Sequence, residues 1–124
     1  MKYSVDKQDK YTIFALNAEN LNSLIAPHVK AEFTILSNEG IPNLIFDLSE
    51  VRFVDSSGLS AILTGYRLWK DTGNFILTNV NQSNVKKLIE ISKLDSVLTV
   101  IPTMDESVEY VIMDEIEREL NSEE

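Results

Sequence analysis

The chain has 124 residues, of which 44% are hydrophobic, and it carries a formal net charge of -9. This length suits about one globular domain, and the absence of cysteine together with a single histidine, His28, argues against disulfides, thiolate ligands and a histidine-built metal site. No apolar run approaches the roughly 18 residues of a membrane span, and the first residues lack the apolar segment of a signal peptide, so we expect a cytoplasmic protein without membrane insertion.

The negative charge is concentrated near the C-terminus. Residues 105–124 contain nine acidic residues against one basic residue, Arg118, for a net of -8, so residues 1–104 carry only -1. Such a charge repels nucleic acid and anionic membrane surfaces at long range, which predicts that neither is the partner. The favoured interpretation of the acidic end is the solvated face of a helix, and the composition fits a soluble monomer.

The N-terminal part is predicted to begin with two paired strands. Residues 2–8 are expected to form an edge strand that pairs with Tyr11–Leu16 across a tight turn at Asp9 and Lys10. A helix follows, because apolar residues then recur at helical spacing, and Pro27 within it is expected to bend its early turns. The apolar residues of this helix are Leu21, Leu24, Ile25, Val29, Phe33 and Leu36.

The remaining chain alternates strands and helices. Residues 43–48 and 74–80 are almost continuously apolar, as is typical of strands covered on both faces in a parallel sheet, and residues 97–102 form a further strand. The order β-β-α-β-α-β-α-β-α predicts one α/β domain over residues 1–124, with about five strands in a mostly parallel, mixed sheet and about four helices. The three later helices carry Leu59, Ile62, Leu63, Tyr66 and Trp69; Val85, Leu88 and Ile89; and, in an acidic helix over residues 104–121, Val108, Val111, Ile112, Ile116 and Leu120.

One short stretch stands apart from this alternation. Residues 53–61 read FVDSSGLSA, in which an apolar run stops at an acid, two serines and a glycine and then resumes with helical spacing. In parallel sheets, functional residues gather where loops lead from strand ends into helices. Asp55 or Ser56 suits the N-cap of the helix, an interaction worth about 1 kcal/mol. The residues alone leave a purely structural turn and a functional serine equally favoured.

A resemblance to a known family distinguishes the two interpretations. The strand ending in Asp-Leu, the linker with an aromatic residue, the Asp-Ser-Ser-Gly-Leu turn and the downstream VKKLIEISKLDSV helix resemble a STAS domain of the bacterial anti-sigma factor antagonist family. The resemblance covers about residues 11–115, and the Asp-Ser-Ser-Gly-Leu turn is its most specific part. It implies a STAS-type fold and a small cytoplasmic regulator of transcription. It also implies that Ser56, the serine directly after the aspartate, is phosphorylated by a partner kinase that is itself an anti-sigma factor.

The same turn is the expected docking surface. Ser57 is the second choice as phosphate acceptor, because it is expected inside the first helical turn. The loop before the first helix is expected to contribute two asparagines, which cap that helix and offer hydrogen bonds. The expected partner-binding residues are Asp55, Ser56, Ser57, Gly58, Leu59, Asn20 and Asn22.

The predicted function is therefore that of an anti-sigma factor antagonist. The unphosphorylated chain binds the anti-sigma factor kinase and releases a sigma factor, phosphorylation of Ser56 switches binding off, and a phosphoserine phosphatase resets it. The alternative is a constitutive docking subunit of a transport or other assembly, with Ser56 only a helix cap. Neither an enzyme nor a cofactor is expected. A catalytic triad requires a base held at the nucleophile, whereas His28, the single histidine, is expected on a helix in a surface or packing role, and the sequence has no Gly-x-Ser-x-Gly elbow or Walker loop.

Overall fold

The computed structural model describes residues 1–122. Over this range the chain forms four α-helices, one short 3-10 helix and seven strands, five of which make up the main sheet. In chain order the elements are β1 (Tyr3–Lys7), β2 (Tyr11–Leu16), β3 (Asn20–Leu21), α1 (Ala26–Asn38), β4 (Asn43–Asp47), β5 (Phe53–Val54), α2 (Ser56–Trp69), β6 (Phe75–Thr78), α3 (Ser83–Ile91), the 3-10 helix (Leu94–Ser96), β7 (Thr99–Ile101) and α4 (Met104–Ser122).

The main sheet has the predicted mixed, mostly parallel topology. Its strand order is β1-β2-β4-β6-β7, in which only the β1–β2 pair is antiparallel. Each parallel neighbour requires a crossover, and α1, α2 and α3 supply the three that are needed. A separate pair of two-residue strands, β3 and β5, lies outside this sheet and was not predicted.

The larger core lies between one face of the sheet and helices α1, α2 and α3. At its centre the Phe33 ring meets the edges or faces of Phe14, Phe46, Trp69 and Phe75, with ring centroids 5.2 to 5.8 Å apart. Edge-to-face contacts of this kind add about 0.5–1.5 kcal/mol each beyond burial. This aromatic cluster holds α1 and α2 at fixed positions on the sheet.

Helix α4 covers the opposite face of the sheet. Val111 of α4 is fully buried against Ile45 of β4 and Ile76 of β6. Because neighbouring residues of a strand point to opposite faces, these two isoleucines lie on the other side of the sheet from Phe46 and Phe75. The two sides are therefore covered by different helices.

A polar cluster fixes the C-terminal part of α4. The side chain of Asn43 is fully buried, and its Nδ2 donates to Oε1 of Glu115 (3.0 Å), while its Oδ1 accepts the backbone N–H of Asn74 (2.8 Å). Asn74 in turn donates from Nδ2 to Asp114 (2.7 Å). Arg118 also donates to Asp114, at 2.9 Å. Asp114 and Glu115 of α4 therefore make structural contacts within the protein and do not serve only to solvate the helix.

The first helix begins later than the apolar spacing predicted. Helix α1 begins at Ala26, so Pro27 lies in the first turn, where a missing N–H breaks no intrahelical bond, and the predicted bend is wrong. Leu21 belongs to β3 and is fully buried, whereas Leu24 is 79% exposed. The intervening turn is closed by the carbonyl of Asn22, which accepts the Ala26 N–H at 2.7 Å.

The predicted apolar residues of α4 do not share one face. Val108 and Val111 pack against the sheet, but Ile112, Ile116 and Leu120 are 43%, 44% and 59% exposed. The reason is geometric, because Ile112 follows Val111 by one residue and is rotated away from the sheet by about 100°. Helix α4 therefore has an apolar side toward the sheet and a second apolar side toward solvent.

Candidate functional site

The Asp-Ser-Ser-Gly turn forms the N-terminus of α2. Asp55 is the N-cap, with an extended backbone, and its Oδ1 accepts the N–H of Gly58 at 2.9 Å. Its carbonyl accepts the N–H of Leu59 at 3.0 Å. Of the two N-cap candidates the structure selects Asp55, so that Ser56 is the first helical residue and Ser57 the second.

Gly58 allows α2 to approach β3 closely. A Cβ built on Gly58 would overlap the carbonyl oxygen of Leu21 and lie only 2.8 Å from Cγ1 of Val54. Any side chain here would push the N-terminus of α2 away from β3. Gly58 is buried. Its lack of a side chain therefore fixes the position of the start of α2, where Ser56 lies.

The pairing of β3 with β5 brings the Asn20 loop to the serine turn. Asn20 pairs with Phe53 and Leu21 with Val54 in parallel register. The carbonyl of Leu21 also accepts the N–H of Asp55 at 3.3 Å. The Asn20 loop and the serine turn, which the sequence predicted separately as parts of the binding surface, are thus neighbours in the fold.

The residues predicted to bind the partner differ in exposure. Ser56, Asp55 and Asn20 are exposed; Ser57, Leu59 and Asn22 are half-buried. Leu59 packs against the main core. Ser56, at the first position of α2, is therefore more accessible than Ser57.

The predicted capping role of the two asparagines is wrong. The N-cap of α1 is Ile25, which makes no side-chain cap bond. Asn22 instead accepts the N–H of Leu24 on its Oδ1 at 3.1 Å, and Asn20 lies in β3. Asn22 therefore shapes the turn before α1, since an asparagine oxygen readily bonds the backbone two residues on.

Two exposed apolar side chains near the turn escaped the sequence analysis. Phe53, two residues before the N-cap, is 56% exposed, and Leu24, in the turn that follows β3, is 79% exposed. The signal for Phe53 was its alternation with Val54, because adjacent residues of a strand point to opposite sides. For Leu24 no local signal existed, since its spacing matched that of a buried helical face.

A half-buried cation also lies near the turn. Lys30 of α1 donates from Nζ to the hydroxyl of Ser60 at 2.9 Å. Ser60 follows Ser56 by four residues, which places the two on adjacent turns of the same side of α2. Positive charge is therefore present one turn from the exposed serine.

A polar cleft of about 460 Å³ adjoins β5. It is lined by Asn17, Glu19, Ser49, Glu50 and Arg52, among others. Its mixture of two carboxylates with one guanidinium selects neither anions nor cations. Within residues 1–122 no group of three or more histidine or acidic side chains has the arrangement of a metal site, and no helix combines the length and apolarity of a membrane crossing.

The fold and the serine turn together define a STAS domain. The STAS domain family model matches residues 2–107, which is most of the chain, and the protein belongs to this family.

Three solved structures place the chain among its structural neighbours. A proposed anti-sigma factor antagonist of Thermotoga maritima is 25% identical, with a TM-score of 0.78 and coverage of 88% of this chain and 93% of that one. The phosphorylated form of the Bacillus cell fate determinant SpoIIAA is 19% identical, with a TM-score of 0.70 and coverage of 89% and 99%. A sulfate transporter family protein of Wolinella succinogenes is 16% identical, with a TM-score of 0.73 and coverage of 84% and 86%.

Proposed function

We propose that this protein is an anti-sigma factor antagonist whose unphosphorylated form binds an anti-sigma factor with serine kinase activity and so releases a sigma factor. The observation that carries the proposal is the exposed Ser56 at the first position of α2, on a turn fixed by Asp55 and Gly58. The similarity to the Thermotoga maritima protein supports it. In this role the chain is a cytoplasmic binding module and not an enzyme.

The surroundings of Ser56 have the character of a docking surface. Phe53 and Leu24 expose apolar area on the two segments that adjoin the turn, and the exposed Asn20, which pairs with Phe53, offers an amide. Protein interfaces combine buried aromatic or aliphatic anchors with hydrogen-bonding groups at their rim. The proposed contact surface consists of Asp55, Ser56, Ser57, Gly58, Leu59, Asn20, Asn22, Phe53 and Leu24.

Phosphorylation of Ser56 switches this surface off through its charge. A phosphate adds about -1.5 to -2 charge at pH 7. At the N-terminus of α2 the helix dipole favours that charge, so the fold of the chain is retained. A docked partner, however, must remove water from the dianion, which costs several kcal/mol unless a cation pairs with it. A tenfold loss of affinity corresponds to about 1.4 kcal/mol, which is a fraction of this desolvation cost even where the nearby Lys30 offsets part of it.

The proposed cycle needs two partners. The anti-sigma factor kinase transfers the phosphoryl group to Ser56, and a phosphoserine phosphatase removes it. The solved structure of phosphorylated SpoIIAA, which shares the fold, supports a phosphorylated state as part of the cycle. Ser57 is the second candidate acceptor because it is half-buried in the first turn.

The test combines substitution with mass spectrometry. The Ser56→Ala variant is expected to retain affinity for the anti-sigma kinase of the same organism, whereas Ser56→Asp and phosphorylated chain lose it by at least about tenfold. Ser92→Ala, at an exposed serine outside the proposed contact surface, is the matched control and should leave both binding and phosphorylation unchanged. Trypsin releases residues 53–67 as one peptide, since Arg52 and Arg67 bound it, so fragment ions assign the modified serine. Equal affinity of Ser56→Ala, Ser56→Asp and phosphorylated chain would refute the switch.

The second candidate function is a constitutive docking module of a transport assembly. The fold match to the Wolinella succinogenes sulfate transporter family protein favours it. In that role Ser56 only begins the helix, so Ser56→Ala and Ser56→Asp bind the assembly equally well. Circular dichroism of both variants confirms that any difference in affinity does not come from unfolding.

A further inference from the structure

Helix α4 exposes a line of large apolar side chains on the side turned away from the sheet. Ile112, Met113, Ile116 and Leu120 are 43%, 57%, 44% and 59% exposed, and we call these four residues the outer stripe. Their spacing places them on one side of the helix over more than two turns. Single exposed apolar residues are ordinary, but a contiguous set on one side marks an interaction site.

Acidic side chains border the outer stripe. A shallow groove of about 430 Å³ runs beside it, lined by Glu106, Glu109, Tyr110, Met113, Asp114 and Glu117. Helix α4 as a whole has seven acidic residues and one basic residue, for a net of -6.

Some of this charge is already neutralised and some is not. Asp114 is paired with Arg118 at 2.9 Å, and Glu119 lies 3.8 Å from the amino group of Lys10. Within residues 1–122, Glu109 and Glu117 form no ion pair. Unneutralised carboxylates therefore lie where a partner would meet the apolar side chains.

The charge decides which occupant fits. A second copy of α4 would bring -6 against -6, and an anionic membrane surface would repel the helix in the same way. A helix with an apolar side and flanking lysine or arginine residues satisfies both features, because its apolar side covers the stripe and its cations meet Glu109 and Glu117. We propose that the outer stripe of α4 binds a basic amphipathic helix of a partner protein.

This surface is separate from the serine turn. Helix α4 covers the face of the sheet that carries Ile45 and Ile76, whereas α2, with Ser56 at its start, packs on the other face. The two surfaces can be occupied together, and the Ser56→Asp variant is expected to bind at α4 as the unmodified chain does. If the phosphorylation switch at Ser56 were refuted, the proposal for α4 would therefore stand. If peptide binding at α4 were refuted, the switch would stand.

The test uses the full chain and a labelled peptide of leucine and lysine arranged as an amphipathic helix. Fluorescence anisotropy is expected to give a Kd about tenfold tighter than for a scrambled peptide of the same composition. Replacing Met113 and Ile116 by serine should weaken the amphipathic peptide about tenfold, and Glu109→Gln with Glu117→Gln should reduce the salt dependence of binding. Ile35→Ser is the matched control, because Ile35 is equally exposed, at 55%, on α1.

Several results would overturn the proposal. One is equal binding of the scrambled peptide, which would indicate general charge attraction; another is unchanged affinity in the serine variant of Met113 and Ile116. A dimer in sedimentation velocity that Leu120→Ser abolishes would assign the stripe to a second copy. Binding to vesicles of anionic phospholipid that the same substitution abolishes would assign it to a membrane. Because the stripe residues are about half exposed, the variants are expected to fold, which thermal melting checks.

Discussion

Substituting Gly58 by alanine sets two opposing effects against each other. Alanine is favoured over glycine in a helix by about 1 kcal/mol, so helix preference alone predicts stabilisation. The added Cβ, however, overlaps the carbonyl oxygen of Leu21 and lies 2.8 Å from Cγ1 of Val54. Both neighbours are held in the β3–β5 pair and cannot yield as the end of a flexible side chain does.

The expected net effect is a loss of about 1–3 kcal/mol in the free energy of unfolding. Overpacking against fixed atoms costs about 1–3 kcal/mol. If α2 moves away from β3, the hydrogen bond from the Asp55 N–H to the Leu21 carbonyl is also weakened, which adds about 1 kcal/mol. These terms together exceed the gain in helix preference. The movement also displaces Ser56, so affinity for the proposed anti-sigma factor kinase should fall in the same variant.

Urea denaturation followed by circular dichroism measures the effect. Ser57→Ala in the same turn is the control, because it gains helix preference without the overlap and should change stability by less than about 0.5 kcal/mol. If Gly58→Ala instead increased the free energy of unfolding by about 1 kcal/mol, the full gain in helix preference, β3 would have to move aside at no cost. The conclusion that Gly58 fixes the serine turn would then be refuted.

Three further substitutions test the interior and the helix cap. Thr78→Val should increase the free energy of unfolding by about 1 kcal/mol, because Oγ1 of Thr78 is buried without a hydrogen-bond partner in residues 1–122. A higher urea midpoint would show this increase, and a lower one would contradict it. Asn43→Ala should lower the melting temperature, with a loss of about 1–3 kcal/mol in unfolding free energy, because it removes the buried amide that bonds the half-buried Asn74 N–H and Glu115 carboxylate; an unchanged melting curve would show that water replaces the amide. Asp55→Ala should cost about 1 kcal/mol in urea denaturation while Asp55→Asn retains most of the cap, and equal losses would argue against the cap bond to Gly58.

The order of strands and helices was predictable because it is encoded locally. Residues 43–48 and 74–80 are apolar without interruption, and a strand buried on both faces requires that pattern. The serine turn was equally visible, since an acid, two serines and a glycine after a strand carry the chemistry of a helix N-terminus. The choice between Asp55 and Ser56 as N-cap was left open because both side chains can accept the same hydrogen bond.

The errors arose where distant segments decide the structure. Leu21 and Leu24 have helical spacing, yet Leu21 pairs as a strand with Val54, which is far away in the sequence. A two-residue strand is too short to leave a periodic pattern, so only the tertiary contact reveals it. The same limit applies to α4, where the sheet accepts Val111 but leaves Ile116 in solvent. Spacing indicates which residues share a side of a helix, and not how many sides the rest of the protein covers.

The amide of Asn43 has a mechanical consequence for α4. A helix held only by aliphatic contacts could slide along a sheet by a fraction of a turn, because such contacts have little directionality. The bond from Asn43 to Glu115, together with that from Asn74 to Asp114, fixes both the axial position and the rotation of the helix. A force applied to the solvent side of α4 is therefore transmitted as a load to the beginnings of β4 and β6, and not dissipated as slippage.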